Sequence, residues 1–137
     1  MVRQRLLFTA IAALLLLSLA LALGCAGDRQ ATNDPGYRDI RAAELQTLLT
    51  GDDPPFLLDV REPHEFSAGH IPGSVLIPLG EITGRLDEIP RDRTVVVICH
   101  SGNRSGQVSG ELARHGYTRV LNLQDGVRDW PEPLQTE

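Results

Sequence analysis

Short apolar runs alternate with segments of helical character along most of this chain. Runs of strand length cover residues 37–40, 56–60, 74–77, 94–98 and 119–123. Between them, helices are predicted at 42–50, 63–68, 82–89 and 105–115. This alternation is typical of a mainly parallel sheet with helices on its faces, and 137 residues suffice for one such domain. We therefore predict a single α/β domain, with the uninterrupted apolar run from Val95 to Ile98 as a strand buried on both faces.

The first 24 residues have the pattern of a targeting segment. Arg3 and Arg5 precede an uncharged apolar stretch, 6–23, which is followed by Gly24 and Cys25. A small residue before a cysteine at the end of such a stretch resembles a bacterial lipobox, which implies cleavage before Cys25 and attachment of lipid to it. An uncleaved anchor is the alternative, because the stretch reaches the minimum of about 17 residues for a spanning helix. Both interpretations predict an extracytoplasmic domain, and the first predicts lipid anchoring to a bacterial membrane.

The chain from Cys25 onward divides into a polar tether and an acidic domain. Residues 25–36 are nearly devoid of apolar side chains, which predicts a flexible tether and leaves 37–132 as the folded domain. All 13 basic residues of the chain are arginines. Two of them, Arg3 and Arg5, lie in the leader, so eleven arginines face 18 acidic residues beyond it, a net charge of −7. Such a surface argues against nucleic acid or anionic lipid as the main partner.

A polar loop from Cys99 to Ser105 is the strongest candidate for a chemical site. It joins the predicted strand 94–98 to the predicted helix 105–115, so the sulfur should meet free backbone N–H groups at the positive end of a helix dipole. These groups favour a thiolate and also form a cradle for an anion. Arg104 adds a fixed charge with a planar fork of donors. One short loop would thus supply a nucleophile and an anion receptor.

Each remaining loop residue has an expected role. Gly102 is predicted to supply a positive φ or a close backbone approach, and Ser105 to direct a hydroxyl at the sulfur. The N–H groups are expected from the backbone of His100, Ser101 and Asn103. The His100 side chain either assists proton transfer or faces solvent, and Arg104 either braces the loop, meets the anion or forms a surface ion pair.

Two further polar positions lie outside the loop. Asp59 and Arg61 end a neighbouring predicted strand, where Arg61 could reach the anion, although an ion pair with Glu65 is the preferred interpretation. His70 is interpreted as a packed histidine that holds a turn, with a general base as the alternative. The two cysteines lie far apart, and no Cys-x-x-Cys motif or Cys/His cluster indicates a metal, so neither metal nor cofactor is predicted.

Three segments of the chain, in order, resemble the rhodanese family of sulfurtransferases. The first runs from Leu57 to Ser74 and includes Gly69-His70-Ile71-Pro72-Gly73. The second is the loop from Cys99 to Ser105, which fits the family pattern Cys-x-x-Gly-x-Arg-Ser. The third is similar to the family's Gly-Gly-x-x-x-Trp, ending at Trp130, with Asp125 in place of the first glycine. The resemblance implies a rhodanese-like fold and sulfur transfer.

In that chemistry the Cys99 thiolate attacks the outer sulfur of a small anionic donor such as thiosulfate, and a persulfide remains on the cysteine. A thiol or a cyanide-like acceptor then takes the sulfur. A sulfur-carrier module, or one that binds sulfide or a partner, would use the same residues with little turnover. A cysteine-based phosphatase is less favoured, because such enzymes resemble a pattern with five residues between cysteine and arginine, and here four separate Cys99 from Arg104.

Overall fold

The computed structural model describes residues 34–137 and contains a five-stranded sheet in which every neighbouring pair of strands is parallel. The strands are β1 (Arg38–Ile40), β2 (Phe56–Asp59), β3 (Val75–Leu76), β4 (Val95–Ile98) and β5 (Val120–Leu123). The α-helices are α1 (Ala42–Leu49), α2 (Pro63–Ala68) and α3 (Asn103–Arg114). The strand order β1-β5-β4-β2-β3 places β4 at the centre. The predicted α/β class and all five predicted strands are confirmed.

Two hydrophobic clusters fill the space on the two faces of the sheet. On one face, Val95 and Val97 of β4 pack in one cluster with Val108 and Leu112 of α3. On the other face, the alternate residues of β4 pack in a second cluster with Leu45 of α1. All four residues of β4 are buried, as expected for a strand covered on both sides. This double burial accounts for the continuous apolar run in the sequence.

The prediction of an α-helix at 82–89 was wrong, because this region has 3₁₀ hydrogen bonds. Two 3₁₀ segments, Leu79–Gly84 and Leu86–Glu88, occupy this region, and Arg85 between them, with a φ of −129° and a ψ of 24°, is neither helical nor extended. Bonds from residue i to i−3 replace the α-helical pattern, since Gly84 interrupts a stretch already too short to propagate an α-helix. The predicted apolar face is nevertheless present, because Ile82 and Ile89 are buried in the same cluster.

The register brings three strand ends together at one edge of the sheet. Ile98 of β4 lies opposite Asp59 of β2, and Val97 lies opposite Asn122 of β5. In parallel sheets this carboxyl edge is where ligands bind. Cys99, which follows β4 directly, therefore lies between the segments that leave β2 and β5.

Within residues 34–137 no helix has both the length and the apolar character needed to cross a bilayer. The predicted leader, Cys25 and most of the predicted tether lie outside the described residues.

Leu112→Ala should destabilise the domain by about 2–5 kcal/mol, because the side chain is fully buried between α3 and the sheet and its removal leaves a cavity. Leu134 is 38% exposed, so Leu134→Ala is the control and should cost less than about 1 kcal/mol. Urea unfolding followed by circular dichroism measures both free energies of unfolding. Equal losses for the two variants would contradict this account of the core.

Candidate active site

The loop after β4 turns sharply into α3 at Gly102. This glycine has a φ of +90° and is the residue before the helix begins at Asn103. A Cβ atom built on it would overlap the backbone carbonyl of Gln124, in the segment after β5. Both predicted reasons for a glycine here, the positive φ and the close backbone approach, are therefore met.

A second glycine completes the contact between the two loops. A Cβ atom on Gly126 would overlap the carbonyl of His100. Next to it, the N–H of Val127 donates to the Cys99 carbonyl at 2.9 Å and the N–H of Arg128 donates to the His100 carbonyl at 3.1 Å. The backbone after β5 thus packs directly on the cysteine loop, a role for Gly126 that was not predicted from the sequence, although the Gly-Gly-x-x-x-Trp resemblance includes it.

The Cys99 sulfur is buried at the centre of the loop, with 1% of the residue exposed. The Gly102 N–H donates to it at 3.1 Å, and the Ser105 hydroxyl lies 3.3 Å away. Burial acts to raise the pKa of the thiol, but the Ser105 hydroxyl and the backbone N–H groups of Ser105, Ser101 and Gly102 outweigh it, so the pKa of Cys99 lies below its ordinary value. The contacts of the loop therefore favour the thiolate form of Cys99.

The Ser105 hydroxyl has two acceptors within reach. Besides the sulfur, the Gly102 carbonyl lies 3.1 Å from its oxygen. One hydroxyl hydrogen serves one acceptor fully at a time, and a charged acceptor forms the stronger bond. Ionisation of Cys99 should therefore draw this hydrogen to the sulfur, as predicted for Ser105.

The guanidinium of Arg104 forms a bidentate ion pair with Glu65 of α2. Its two terminal nitrogens lie 2.7 Å from the two carboxylate oxygens. Hydrogen bonding to Arg104 is the largest cause of the low pKa of the Glu65 carboxyl, about 2. Of the roles considered for Arg104, the structure shows an ion pair. This pair connects α3 to α2 across the loop, and both terminal nitrogens of Arg104 donate to the Glu65 carboxylate.

Arg61 pairs with Asp59 and not with Glu65, so the preferred prediction for Arg61 was wrong. The Asp59 and Arg61 side chains are buried and joined by three hydrogen bonds of 2.7–3.0 Å. Arg61 also donates to the backbone carbonyls of Glu65 and Gly69. The spacing of four residues brings side chains together only inside a helix, and Arg61 precedes α2, which begins at Pro63.

The other predicted residues differ in their exposure to solvent. His100 and Asn103 are exposed and Ser101 is half-buried. His70 is buried, stacks on Phe66 at 3.7 Å between ring centroids and lies 3.0 Å from its carbonyl, which agrees with the interpretation as a packed histidine. Among residues 34–137, no three His, Cys, Asp or Glu side chains form a group that could hold a metal ion.

The fold and the loop define an α/β domain with a reactive-cysteine loop at the carboxyl edge of a parallel sheet, and comparison with known proteins identifies its family. Residues 41–132 match the Rhodanese-like domain. A "Sulfurtransferase" of Allochromatium vinosum is 40% identical over 92 residues, which cover 67% of this chain and 86% of that protein. The Bacillus subtilis "Putative sulfur carrier protein YrkF" is 35% identical over 104 residues, or 76% of this chain and 56% of that protein.

Solved structures agree with these sequence matches. The crystal structure of a rhodanese-like domain protein from Staphylococcus aureus superposes with a TM-score of 0.69 at 29% identity, covering 73% of this chain and 98% of that chain. The chain thus belongs to the rhodanese-like domain family, as predicted from its motifs. It spans little more than half the length of the Bacillus subtilis relative.

Ser105→Ala should raise the pKa of Cys99, because it removes a hydroxyl that stabilises the thiolate. Ser109→Ala is the matched control, since this serine is buried in the same helix and its hydroxyl has no hydrogen-bond partner. The rate of alkylation by iodoacetamide as a function of pH reports each pKa. The midpoint should move to higher pH in the first variant only, and a wild-type midpoint in Ser105→Ala would contradict the assigned hydrogen bond.

Proposed function

We propose that this domain is a sulfurtransferase that moves sulfane sulfur from a donor such as thiosulfate to a thiophilic acceptor through a persulfide on Cys99. The observation that carries the proposal is the position of the sulfur, 3.1 Å from the Gly102 nitrogen and 3.3 Å from the Ser105 hydroxyl. These contacts lower the pKa of Cys99, which favours the thiolate, the nucleophilic form of a cysteine.

The first half-reaction forms one sulfur–sulfur bond and breaks another. The Cys99 thiolate attacks the outer sulfur of thiosulfate, the bond between the two sulfur atoms of the donor breaks, and sulfite leaves with the electron pair of that bond. The product is a persulfide anion on Cys99. Its charge lies on the outer sulfur, one bond beyond the Cys99 sulfur, and we expect the backbone N–H groups of the loop to donate to it.

In the second half-reaction an acceptor thiolate attacks the outer sulfur of the persulfide. The bond from that sulfur to Cys99 breaks, and the Cys99 thiolate is regenerated in the site that stabilises it. Cyanide reacts in the same way and leaves as thiocyanate. No cofactor enters this scheme, because the cysteine carries the sulfur between the two half-reactions.

The relatives support sulfur chemistry and leave two versions of it open. One is named a sulfurtransferase and the other a sulfur carrier protein, and a carrier would stop after the first half-reaction until a specific partner arrives. Phosphoryl transfer is disfavoured, because it requires an arginine that binds phosphate oxygens, and both terminal nitrogens of Arg104 bind Glu65.

Cys99→Ser should abolish sulfur transfer while leaving the fold intact, because a hydroxyl is nearly isosteric with the thiol but forms no stable persulfide. Intact-mass spectrometry after thiosulfate treatment should show one added sulfur atom on the wild type and none on the variant. Circular dichroism checks the fold. Sulfur transfer by a folded Cys99→Ser domain at the wild-type rate would exclude Cys99 as the carrier of the sulfur.

The amount of thiocyanate formed per Cys99 distinguishes a sulfurtransferase from a sulfur carrier. With thiosulfate and cyanide, a sulfurtransferase forms thiocyanate catalytically, whereas a carrier takes up about one sulfur atom per Cys99 and forms little thiocyanate. The same preparation should release no phosphate from an aryl phosphate. Brisk phosphate release without any added sulfur would overturn the proposal.

We propose in addition that the domain is extracytoplasmic and attached to a bacterial membrane by lipid on Cys25. The support is the charged and apolar leader followed by Gly24-Cys25. Stable anchoring requires more than one acyl chain, because a single chain binds membranes only marginally.

Intact-mass analysis of protein extracted from membranes tests this second proposal. We expect a chain that begins at Cys25 and carries the mass of several acyl groups, and Cys25→Ser should abolish the added mass. A retained Met1, or a cleaved chain with an unmodified Cys25, would contradict lipid anchoring.

A further inference from the structure

Residues 131–137, which we call the strap, lie against the end of α2 and the turn that follows it. The match to the Rhodanese-like domain ends at residue 132, so most of the strap is not covered by that match. Before it, Trp130 packs against the cluster that contains Leu45 of α1, and Glu132 accepts a hydrogen bond from Gln46 of α1 at 2.8 Å. The strap therefore connects the α1 side of the domain to α2.

Three backbone hydrogen bonds join the strap to α2 and to the turn after it. The His70 N–H donates to the Gln135 carbonyl at 2.9 Å, and the Gln135 N–H donates to the His70 carbonyl at 2.8 Å. These two bonds form an antiparallel bridge. The Glu137 N–H donates to the Ser67 carbonyl, on α2, at 3.3 Å. The strap is thus bound through backbone groups, whose hydrogen bonds do not depend on side-chain identity.

The sequence of the strap lowers the entropy cost of this binding. Pro131 and Pro133 restrict φ in the unbound segment as well as in the bound one, so fewer conformations are lost when the strap packs. Leu134 lies directly on Gly69, since a Cβ atom built on that glycine would be 3.1 Å from the leucine side chain. Stiffness, an apolar contact and backbone hydrogen bonds all favour one fixed position of the strap.

The helix α2 depends on such contacts because it is short. It has six residues, whereas isolated helices of fewer than about 12–15 residues are marginal in water. Its first turn is held by the capping box of Glu62 and Glu65. Arg61 donates to the carbonyls of Glu65 and Gly69 from the end of β2. The strap adds the contacts at the far end, so both ends of α2 are fixed.

The position of α2 matters for the cysteine loop because α2 carries Glu65. Both oxygens of Glu65 lie 2.7 Å from the guanidinium of Arg104, in the first turn of α3. The pKa of Arg104 is raised first by its hydrogen bonds with Glu65 and less by the charge of a Cys99 thiolate, so the guanidinium lies near the sulfur. The loop therefore has two supports, the segment after β5 on one side and α2 on the other.

We propose that Leu134 and Gln135 of the strap are positioning residues for sulfur transfer, because they hold α2 where Glu65 fixes Arg104 beside the cysteine loop. Both act through α2. The inference rests on the proposed function, since it concerns the rate of the reaction at the same cysteine. A loop that loses this support keeps the donors that stabilise the thiolate, but it no longer holds a fixed place for the outer sulfur atom.

Gln135→Pro tests the bridge through the backbone, because proline lacks the N–H that donates to the His70 carbonyl. Gln135→Ala is the matched control, since it removes an exposed side chain and keeps that N–H. Carbon-13 NMR of the carboxyl groups of the full chain, followed down to about pH 3, reports the titration of Glu65. In Gln135→Pro the pKa of Glu65 should rise from about 2 toward its ordinary value of 4.5, because its pair with Arg104 loosens, and in Gln135→Ala it should stay about 2.

The rate of sulfur addition to Cys99 from thiosulfate, measured by mass spectrometry, connects this change to the reaction. It should fall about tenfold in Gln135→Pro and stay within about twofold of the wild type in Gln135→Ala, because misplaced groups slow a reaction even when all of them are present. The pH midpoint of alkylation by iodoacetamide should not move in either variant, since the donors from Gly102 and Ser105 belong to the loop and to α3. A general loss of structure would instead move this midpoint to higher pH.

If Gln135→Pro does not fold by circular dichroism, Leu134→Ala decides in its place, because it removes the side chain that lies on Gly69 and leaves the bridge. It should raise the pKa of Glu65 and slow sulfur addition about threefold. The proposal is overturned if the pKa of Glu65 or the rate of sulfur addition is unchanged in the folded variant, or if Gln135→Pro and Gln135→Ala behave alike. Failure of the proposed function gives a different result, since even the wild type then adds no sulfur to Cys99, whereas the pKa of Glu65 still rises in Gln135→Pro.

Discussion

The direct packing of two backbone segments is the constraint on which the rest of the site depends. Side chains are excluded at Gly102 by the Gln124 carbonyl and at Gly126 by the His100 carbonyl. The segment after β5 can therefore lie against the cysteine loop without an intervening layer of side chains. Such an approach has little freedom to relax, because on both sides the contact is made by backbone and not by flexible side chains.

This packing determines which way the loop presents its N–H groups. In a planar trans peptide the carbonyl and the N–H point in opposite directions. The Arg128 N–H binds the His100 carbonyl, so the N–H on the other side of that peptide, which belongs to Ser101, points away from the β5 segment. The same Ser101 N–H is one of the groups that lower the pKa of Cys99. The orientation of the donors around the sulfur thus follows from a contact on the opposite side of the loop.

Local features of this molecule follow from its sequence, whereas pairings over long separations do not. Apolar runs predict all five strands, and the roles of Gly102 and Ser105 are predicted because these residues lie within six positions of Cys99. Glu65 is 39 positions from Arg104, and nothing in the spacing along the chain identifies such a partner. The incorrect pairing of Arg61 with Glu65 has a different origin, because a helical spacing was applied to a residue that precedes its helix.

The arrangement of charges has a consequence for how the site handles anions. Burial alone would favour the neutral thiol, and the thiolate is favoured instead by short-range donors that act only on an atom in contact with them. Arginine charges beside the loop are compensated locally, by Glu65 for Arg104 and by the buried Asp59 for Arg61. They order the loop through hydrogen bonds to carboxylates and carbonyls without adding net charge. Charge on the sulfur is therefore stabilised where it forms, by the N–H and O–H donors in contact with it, and not by a net positive charge of the side chains beside the loop.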